Sequence, residues 1–243
     1  NRDLTTQKLN IRLQAGITLQ LLKGLSYDAK VQYEILQDES RNLYKEGSYY
    51  VRNLVNTSST WNKTDGTVTP NLMKGDILEE RQVRTTGYNF RNQLNFSRRF
   101  DKHEIDAIAG TEISNTIIKG TASPTVYGYN DDRLTVGTFP NGTTVKDWMG
   151  YNKTFYYTPS YSYLTSRYFS LYGNVAYTFD SKYTLSGSVR TDASNLITDD
   201  PKYRYSPFWS IGLRWQLYRE KFMTSIEWLD RLTLRVTYGY NGN

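Results

Sequence analysis

A strict alternation of apolar and polar residues near the start of the chain is the feature that most limits its fold. From Leu9 to Leu21 every odd position is apolar, and every even position holds a polar residue or glycine. Because successive side chains of a β-strand point to opposite faces, this pattern predicts a strand with one apolar and one polar face. The stretch is longer than the about five or six residues that are usual in soluble proteins. It is long enough to cross a bilayer, which takes a strand of roughly 9–11 residues.

The same alternation recurs in strands whose connections are alternately short and long. The eight predicted strands are Leu9–Leu21, Leu25–Ile35, Arg84–Arg98, Glu104–Ile118, Tyr168–Phe179, Tyr183–Asp192, Pro207–Leu217 and Leu232–Tyr240. The short turns are 22–24, 99–102 and 180–182, and the long segments are 37–80, 119–167 and 193–206. Outer-membrane barrels combine short periplasmic turns with long extracellular loops. The sequence therefore predicts an all-β fold, an antiparallel transmembrane β-barrel section of about eight strands, with a short helix within Tyr218–Asp230.

The composition agrees with a sheet that faces two environments. Tyrosine accounts for 22 residues and aromatic residues for 15%, and the mean hydropathy is −0.65. Aromatic residues fit a half-buried pleated surface. No run of about 18 apolar residues exists, so no membrane-spanning helix is predicted. The net charge is +6, but the basic residues are scattered among acidic ones and form no dense run, which argues against a nucleic-acid partner. The chain has no cysteine, so it has neither a disulfide nor a thiolate metal site.

Residues that usually carry catalysis are scarce. The single histidine, His103, follows a predicted turn and is interpreted as a solvated residue. One histidine without cysteine provides neither a two-histidine metal site nor the usual nucleophile-and-base pair. Adjacent carboxylates at Glu79-Glu80, Asp131-Asp132 and Asp199-Asp200 are interpreted as solvated loop charges, with Ca²⁺ binding by either aspartate pair as the alternative. The chain is predicted not to be an enzyme and to hold no cofactor.

Aromatic residues in the second long segment are the best candidates for binding. They are Tyr127, Tyr129, Trp148, Tyr151, Tyr156 and Tyr157. Exposed aromatic rings beside asparagine and aspartate suit the flat faces of sugars or a protein partner. The competing interpretation is that these rings pack the long segments against each other.

Charged residues on the polar faces of the strands are predicted to line a lumen or to contact a plug. They are Arg12, Lys30, Glu34, Glu104, Asp106, Glu112, Arg190 and Arg214. Their mixed signs favour salt bridges over a ring that selects ions by charge.

Three stretches near the end of the chain resemble the SusC/RagA family of TonB-dependent outer-membrane transporters of Bacteroidetes. They are residues 183–194 (YTLSGSVRTDAS), 206–215 (SPFWSIGLRW, followed by Glu220-Lys221-Phe222) and 232–243 (LTLRVTYGYNGN). The resemblance implies a 22-stranded barrel with an N-terminal plug and a TonB box. Neither plug nor box is recognisable, so residues 1–243 are expected to form part of the barrel domain, with the plug and the remaining strands outside them.

The resemblance also implies a function and partners. It implies TonB-dependent uptake of glycans or peptides across the bacterial outer membrane, in contact with outer-membrane lipid. It further implies a SusD-like lipoprotein lid over the long loops and contact with TonB through parts outside this chain. The alternatives are a soluble β-sandwich that binds carbohydrate and a small autonomous barrel. In a sandwich, the alternating apolar face would be buried against a second sheet.

Overall fold

The computed structural model describes residues 2–137, 141–156, 158–196, 207–223, 226 and 228–241. Every predicted strand is present. The elements are β1 (Arg2–Leu22), β2 (Leu25–Tyr44), α1 (Tyr49–Thr57), β3 (Thr60–Trp61), β4 (Val68–Thr69), β5 (Asp76–Phe100), β6 (His103–Ala122), β7 (Val126–Tyr129), β8 (Thr143–Lys146), β9 (Asn152–Phe155), β10 (Ser160–Phe179), β11 (Tyr183–Ser194), β12 (Pro207–Gln216) and β13 (Thr233–Tyr240). The long strands form an antiparallel sheet in the order β1-β2-β5-β6-β10-β11-β12-β13, and β7 pairs with β5. Among the described residues, no helix is long and apolar enough to cross a bilayer.

Several strands extend beyond their predicted ends into the segments that were assigned to long loops. Strand β2 continues past Ile35 to Tyr44, and β5 begins at Asp76 instead of Arg84. These extensions contain runs that are polar throughout, 37–42 in β2 and 79–82 in β5, so they lack the alternation on which the prediction depended. The first long segment also contains α1, whose first turn is capped by the Ser48 hydroxyl accepting from the Val51 amide.

The short helix predicted within Tyr218–Asp230 corresponds to 3-10 helix, and the residues that the structure describes there form no α-helix. Two three-residue 3-10 turns, Leu217–Arg219 and Lys221–Met223, occupy the start of this connection. Apolar residues at helical spacing were the only signal, and it was too short to distinguish a helix from a series of turns.

The chain divides into two compact units. The loop unit comprises Asn1–Ile11, Ile35–Thr85 and Ile118–Leu164, and the hairpin unit comprises Arg12–Glu34, Thr86–Ile117 and Thr165–Asn243. The loop unit contains two buried apolar clusters. One is formed by Leu43, Leu78 and Tyr129, and the other is centred on Leu72 and Phe155.

The hairpin unit has one apolar and one polar face, as the alternation predicts. Its register aligns apolar residues in rows across the strands, such as Tyr177, Leu185, Leu213 and Val236. The side chains of this face are exposed: Leu213 is 60% and Val236 59% accessible. No second sheet covers them among the residues that the structure describes in this unit. An uncovered apolar face is what a strand facing lipid presents, and it contradicts the packing of a sandwich.

Candidate binding surface

Two tryptophans form the walls of an open cleft in the loop unit. Trp61 ends β3, and Trp148 lies in the turn between β8 and β9. Val68 of β4 contributes a further apolar contact surface, and Asn56 and Thr57 at the end of α1 complete a cavity of about 480 Å³. The two indole side chains are 46% and 47% exposed. Apolar walls with a few polar groups at the edge are typical of sites that bind small ligands.

Hydrogen bonds between the two long connections fix the walls of this cleft. The Thr60 hydroxyl and the Asn71 amide both donate to the Lys146 carbonyl, at 2.8 and 3.0 Å. On the other side of the β8–β9 hairpin, the Lys153 ammonium donates to the Ser58 hydroxyl at 2.9 Å. These bonds hold β3 beside the β8–β9 hairpin before any ligand arrives, which lowers the entropic cost of binding.

Two of the predicted binding aromatics are packed inside the loop unit. Tyr129 is only 8% exposed and lies against Leu43 and Leu78. The ring of Tyr127 meets that of Phe155 edge-on at 5.9 Å between centroids. Burial raises the pKa of Tyr127 above its ordinary value. These two residues follow the competing interpretation, in which aromatic rings pack the long segments together.

The other predicted aromatics differ in placement. Trp148, Tyr151 and Tyr156 are exposed, and Trp148 belongs to the cleft. Tyr157 lies outside the described residues. Trp61 was not among the predicted binding residues. Trp61 lies in a polar segment just before the Asp65-Gly66 turn, a pattern that indicates an exposed hairpin. This pattern could have identified Trp61 as a candidate binding residue.

The Asp131-Asp132 pair, considered above for Ca²⁺, is engaged through Asp131 with basic side chains. The Asp131 carboxylate lies 2.5 Å from the Arg41 guanidinium and 3.3 Å from the Lys45 ammonium, which also pairs with Asp76. The hydrogen bond from Arg41 is the main cause that lowers the pKa of Asp131. Within the described residues, no three metal-ligating side chains gather at one point. The pair Asp199-Asp200 lies outside them.

His103 lies on the apolar face of the hairpin unit and is not the solvated turn residue that was predicted. Its Nδ1 forms a hydrogen bond of 2.6 Å with the Tyr177 hydroxyl. Its ring lies 6.0 Å from that of Phe100 and 5.2 Å from that of Phe179, between centroids. The cluster belongs to the aromatic residues at strand ends, where barrels place their interfacial girdles.

Four of the eight charged residues predicted on the polar face, Arg12, Glu34, Glu112 and Arg190, form ion pairs. The pairs are Arg12–Glu34 at 2.8 Å, Arg91–Glu112 at 3.0 Å and Arg190–Asp192 at 2.8 Å. The predicted residues Glu104, Asp106 and Arg214 lie instead around a cavity of about 690 Å³. The prediction that opposite charges pair on this face therefore holds for only part of the set.

Curated proteins related to this chain are named as receptors. It is 29% identical over 198 residues to TonB-dependent receptor P26 of Formosa agariphila, covering 76% of this chain and 18% of the relative. It is 30% identical over 178 residues to TonB-dependent receptor P39 of the same organism, covering 72% of this chain and 16% of the relative. The chain thus spans less than a fifth of these relatives. No family model matches the sequence.

Solved structures share the fold over nearly the whole chain. The RagAB peptide transporter matches with a TM-score of 0.74 and 20% identity, covering 98% of this chain and 23% of that one. The RagAB peptide importer in its open-open state matches with a TM-score of 0.75 and the same identity, covering 98% and 22%. At this identity the likeness establishes the fold of the sheet and its connections.

Proposed function

Because this chain belongs to the TonB-dependent receptors, a family of outer-membrane β-barrels, we propose that it forms part of a nutrient importer of the SusC/RagA type. Residues 1–243 contribute a section of the barrel wall and its extracellular loops, and the plug and remaining strands lie elsewhere in the protein. The importer takes up glycans or peptides with energy delivered through TonB. This section provides passage and binding and neither makes nor breaks covalent bonds.

The uncovered apolar face of the hairpin unit is the observation that carries this proposal. Leucine, valine, isoleucine and aromatic side chains lie on it in continuous rows, because the register aligns odd-numbered positions of β10, β11 and β12 with even-numbered positions of β13. Exposing such a face to water costs about 25 cal/mol for each Å² of apolar surface. Lipid removes that cost, and the opposite polar face then lines the lumen.

We assign the binding function of this section to the exposed aromatics of the loop unit. Trp61 and Trp148 would stack on a flat substrate group, and Tyr151 and Tyr156 extend the aromatic surface beside them. A SusD-like lipoprotein lid would meet the same surface from outside. The cleft is supported by its fixed walls and its mixed apolar and polar lining, which suit sugars and peptide side chains alike.

Detergent extraction of the full-length protein, followed by mass spectrometry of what co-purifies, tests the importer. A SusD-like lipoprotein in stoichiometric amount is the expected result. A protein that stays monodisperse and soluble without detergent would refute the membrane barrel and favour the carbohydrate-binding sandwich.

Substitution of the two cleft tryptophans tests the binding surface. In the full-length protein, Trp61→Ala and Trp148→Ala are each expected to weaken substrate binding by about tenfold or more, corresponding to about 1.4 kcal/mol, since buried aromatic contacts dominate binding energies. Tyr49→Ala removes an exposed aromatic outside the cleft and serves as the matched control. Calorimetry with an oligosaccharide mixture and with a peptide mixture distinguishes the two substrate classes. Unchanged affinity for both ligands in both variants would remove the cleft from the proposal.

A further inference from the structure

A cavity of about 280 Å³ opens on the apolar face of the hairpin unit, near the ends of β6 and β10 that the second long segment joins. Its lining includes Tyr88, Ile113, Asn115, Arg167, Phe169 and Asn195. Because side chains alternate along a strand, Asn115 lies on the same face as Ile113, and Arg167 lies on the same face as Phe169. A cation and an amide therefore adjoin the apolar rows that face lipid.

The height of this cavity along β10 coincides with the edge of a membrane. Phe179 ends β10 beside the short turn, and Phe169 lies ten residues earlier on the same face. Ten residues rise about 33 Å along a strand, which is about 25 Å along the membrane normal at a tilt of about 40°. The apolar band of an outer-membrane barrel is about 25 Å tall. Phe169 therefore lies at the far edge of the band, and Arg167 lies just beyond it, at the level of the lipid headgroups.

The Arg167 guanidinium is exposed and forms no ion pair within 4.0 Å among the residues that the structure describes. Its backbone is fixed, because the Arg167 amide donates to the Asn195 Oδ1 at 2.6 Å and the Asn195 amide donates to the Arg167 carbonyl at 3.3 Å. A charge on the lipid-facing side of a barrel is strongly destabilising at the membrane centre but not near the interface. At this height an arginine meets anionic headgroups, and phosphate oxygens match its parallel N–H groups.

Asn115 adds a neutral hydrogen-bonding group to the cavity. Its Oδ1 is inaccessible to solvent and has no hydrogen-bond partner among the described residues, and the same is true of the hydroxyl of Thr165, two residues before Arg167. Buried polar atoms almost always have partners in folded proteins. A carbonyl oxygen only accepts, so its partner must be an N–H or O–H group. A turn of the Asn115 amide toward the cavity brings Oδ1 to such a donor on a bound molecule, and sugar headgroups carry donors of this kind.

We propose that this cavity binds the phosphorylated sugar headgroup of a glycolipid in the outer leaflet of the membrane. Arg167 pairs with a phosphate, the Asn115 Oδ1 accepts from a hydroxyl or amide of the sugar, and an acyl chain lies on Ile113 and Phe169. Such a site differs from the general contact between an apolar face and lipid, because it selects a lipid by its headgroup. It rests on the proposed function in one respect, namely that the long segments lie outside the cell.

Native mass spectrometry of the full-length protein in detergent tests the site, with bisphosphorylated lipid A as the probe. The unaltered protein is expected to bind this lipid more tightly than lipid A from which the phosphates have been removed. Arg167→Ala is expected to weaken binding by about tenfold, since it removes charge-assisted hydrogen bonds. Arg98→Ala is the matched control, because Arg98 is exposed on the apolar face of β5 near the turn to β6 and lies outside the cavity. Equal affinities of the Arg167→Ala variant and the unaltered protein would overturn the proposal.

A second variant separates the contact with the sugar from the contact with the phosphate. Asn115→Leu keeps a similar side-chain shape and removes the unsatisfied oxygen, so it is expected to raise the unfolding temperature of the lipid-free protein and to weaken lipid A binding. Unchanged lipid A affinity in this variant, with phosphatidylglycerol bound as tightly as lipid A by the unaltered protein, would overturn the glycolipid and identify a site for any anionic lipid. A protein that stays soluble without detergent fails the proposed function instead. A detergent-dependent barrel that binds both forms of lipid A equally fails only this site.

Discussion

Gly110→Ala is expected to destabilise the hairpin unit because a side chain from a neighbouring strand lies over this glycine. A Cβ at position 110 would lie 2.5 Å from the hydroxyl of Tyr172 and 2.7 Å from the carbonyl oxygen of Asn92. The Tyr172 side chain must therefore be displaced, and the Asn92 carbonyl, which belongs to the backbone, can yield only if the strand shifts. Glycine at this position thus allows a tyrosine on β10 to cross β6 and reach β5.

The contacts that Tyr172 would lose set the size of the effect. Its hydroxyl donates to Gln93 at 2.8 Å, and its ring lies 5.8 Å from the Arg91 and 5.9 Å from the Arg190 guanidinium carbon. The hydrogen bond contributes about 0.5–1.5 kcal/mol, and each cation–π contact about 0.5–1 kcal/mol. Alanine regains about 0.5–1 kcal/mol over glycine within a strand. The net loss is therefore expected to be about 0.5–3 kcal/mol.

Urea unfolding of the full-length protein in detergent, followed by tryptophan fluorescence, measures this loss. Gly187→Ala is the matched control, since a Cβ there would meet its nearest atoms at 3.9 Å, an ordinary contact. A Tyr172→Ala variant should already lack the contacts, so adding Gly110→Ala to it should cost much less than in the unaltered protein. Equal stability of Gly110→Ala and the unaltered protein would refute the reasoning.

Two further predictions concern carboxylates outside the membrane-crossing segments. The hydrogen bond from Arg41 lowers the pKa of Asp131 in the folded state. The stabilisation from this pair is therefore fully present above the pKa of an unfolded aspartate, about 3.9. It is lost as the pH falls through the lower pKa of the folded state. Protection of the loop unit from hydrogen exchange, corrected for the intrinsic pH dependence of exchange, should therefore decrease below about pH 4. Asp131→Asn should reduce this protection at neutral pH and remove this acid-dependent step. Glu220 accepts hydrogen bonds from Tyr183 at 2.5 Å and from the Trp215 indole at 3.1 Å, so Glu220→Ala should loosen the connection between β12 and β13. Faster trypsin cleavage within that connection would show the loosening, and an unchanged rate would contradict it.

The strands could be predicted from the sequence because one face of each must be apolar over its whole membrane-crossing length. That constraint ends where a strand leaves the apolar region, which is why the extension of β2 to Tyr44 gave no signal. Residue type alone also could not predict which aromatic residues of the long segments are buried and which are exposed. Tyr129 and Trp148 are both aromatic residues in a polar segment, yet one is buried and the other is exposed. The cleft depends on a contact between connections far apart in the chain, and no local pattern reports the pairing of Trp61 with Trp148.

The two units differ in what stabilises them. Almost all of the buried apolar residues that the structure describes belong to the loop unit, including Leu43, Ile77 and Phe155, whereas the hairpin unit contributes only Ala193. The loop unit therefore has an apolar interior of its own. The hairpin unit buries little apolar surface within itself, so hydrophobic burial must come from what covers its apolar face. The ion pairs on its polar face, two across strands and Arg190–Asp192 within β11, contribute little when exposed to water. We therefore expect the hairpin unit to require lipid on its apolar face in order to stay folded.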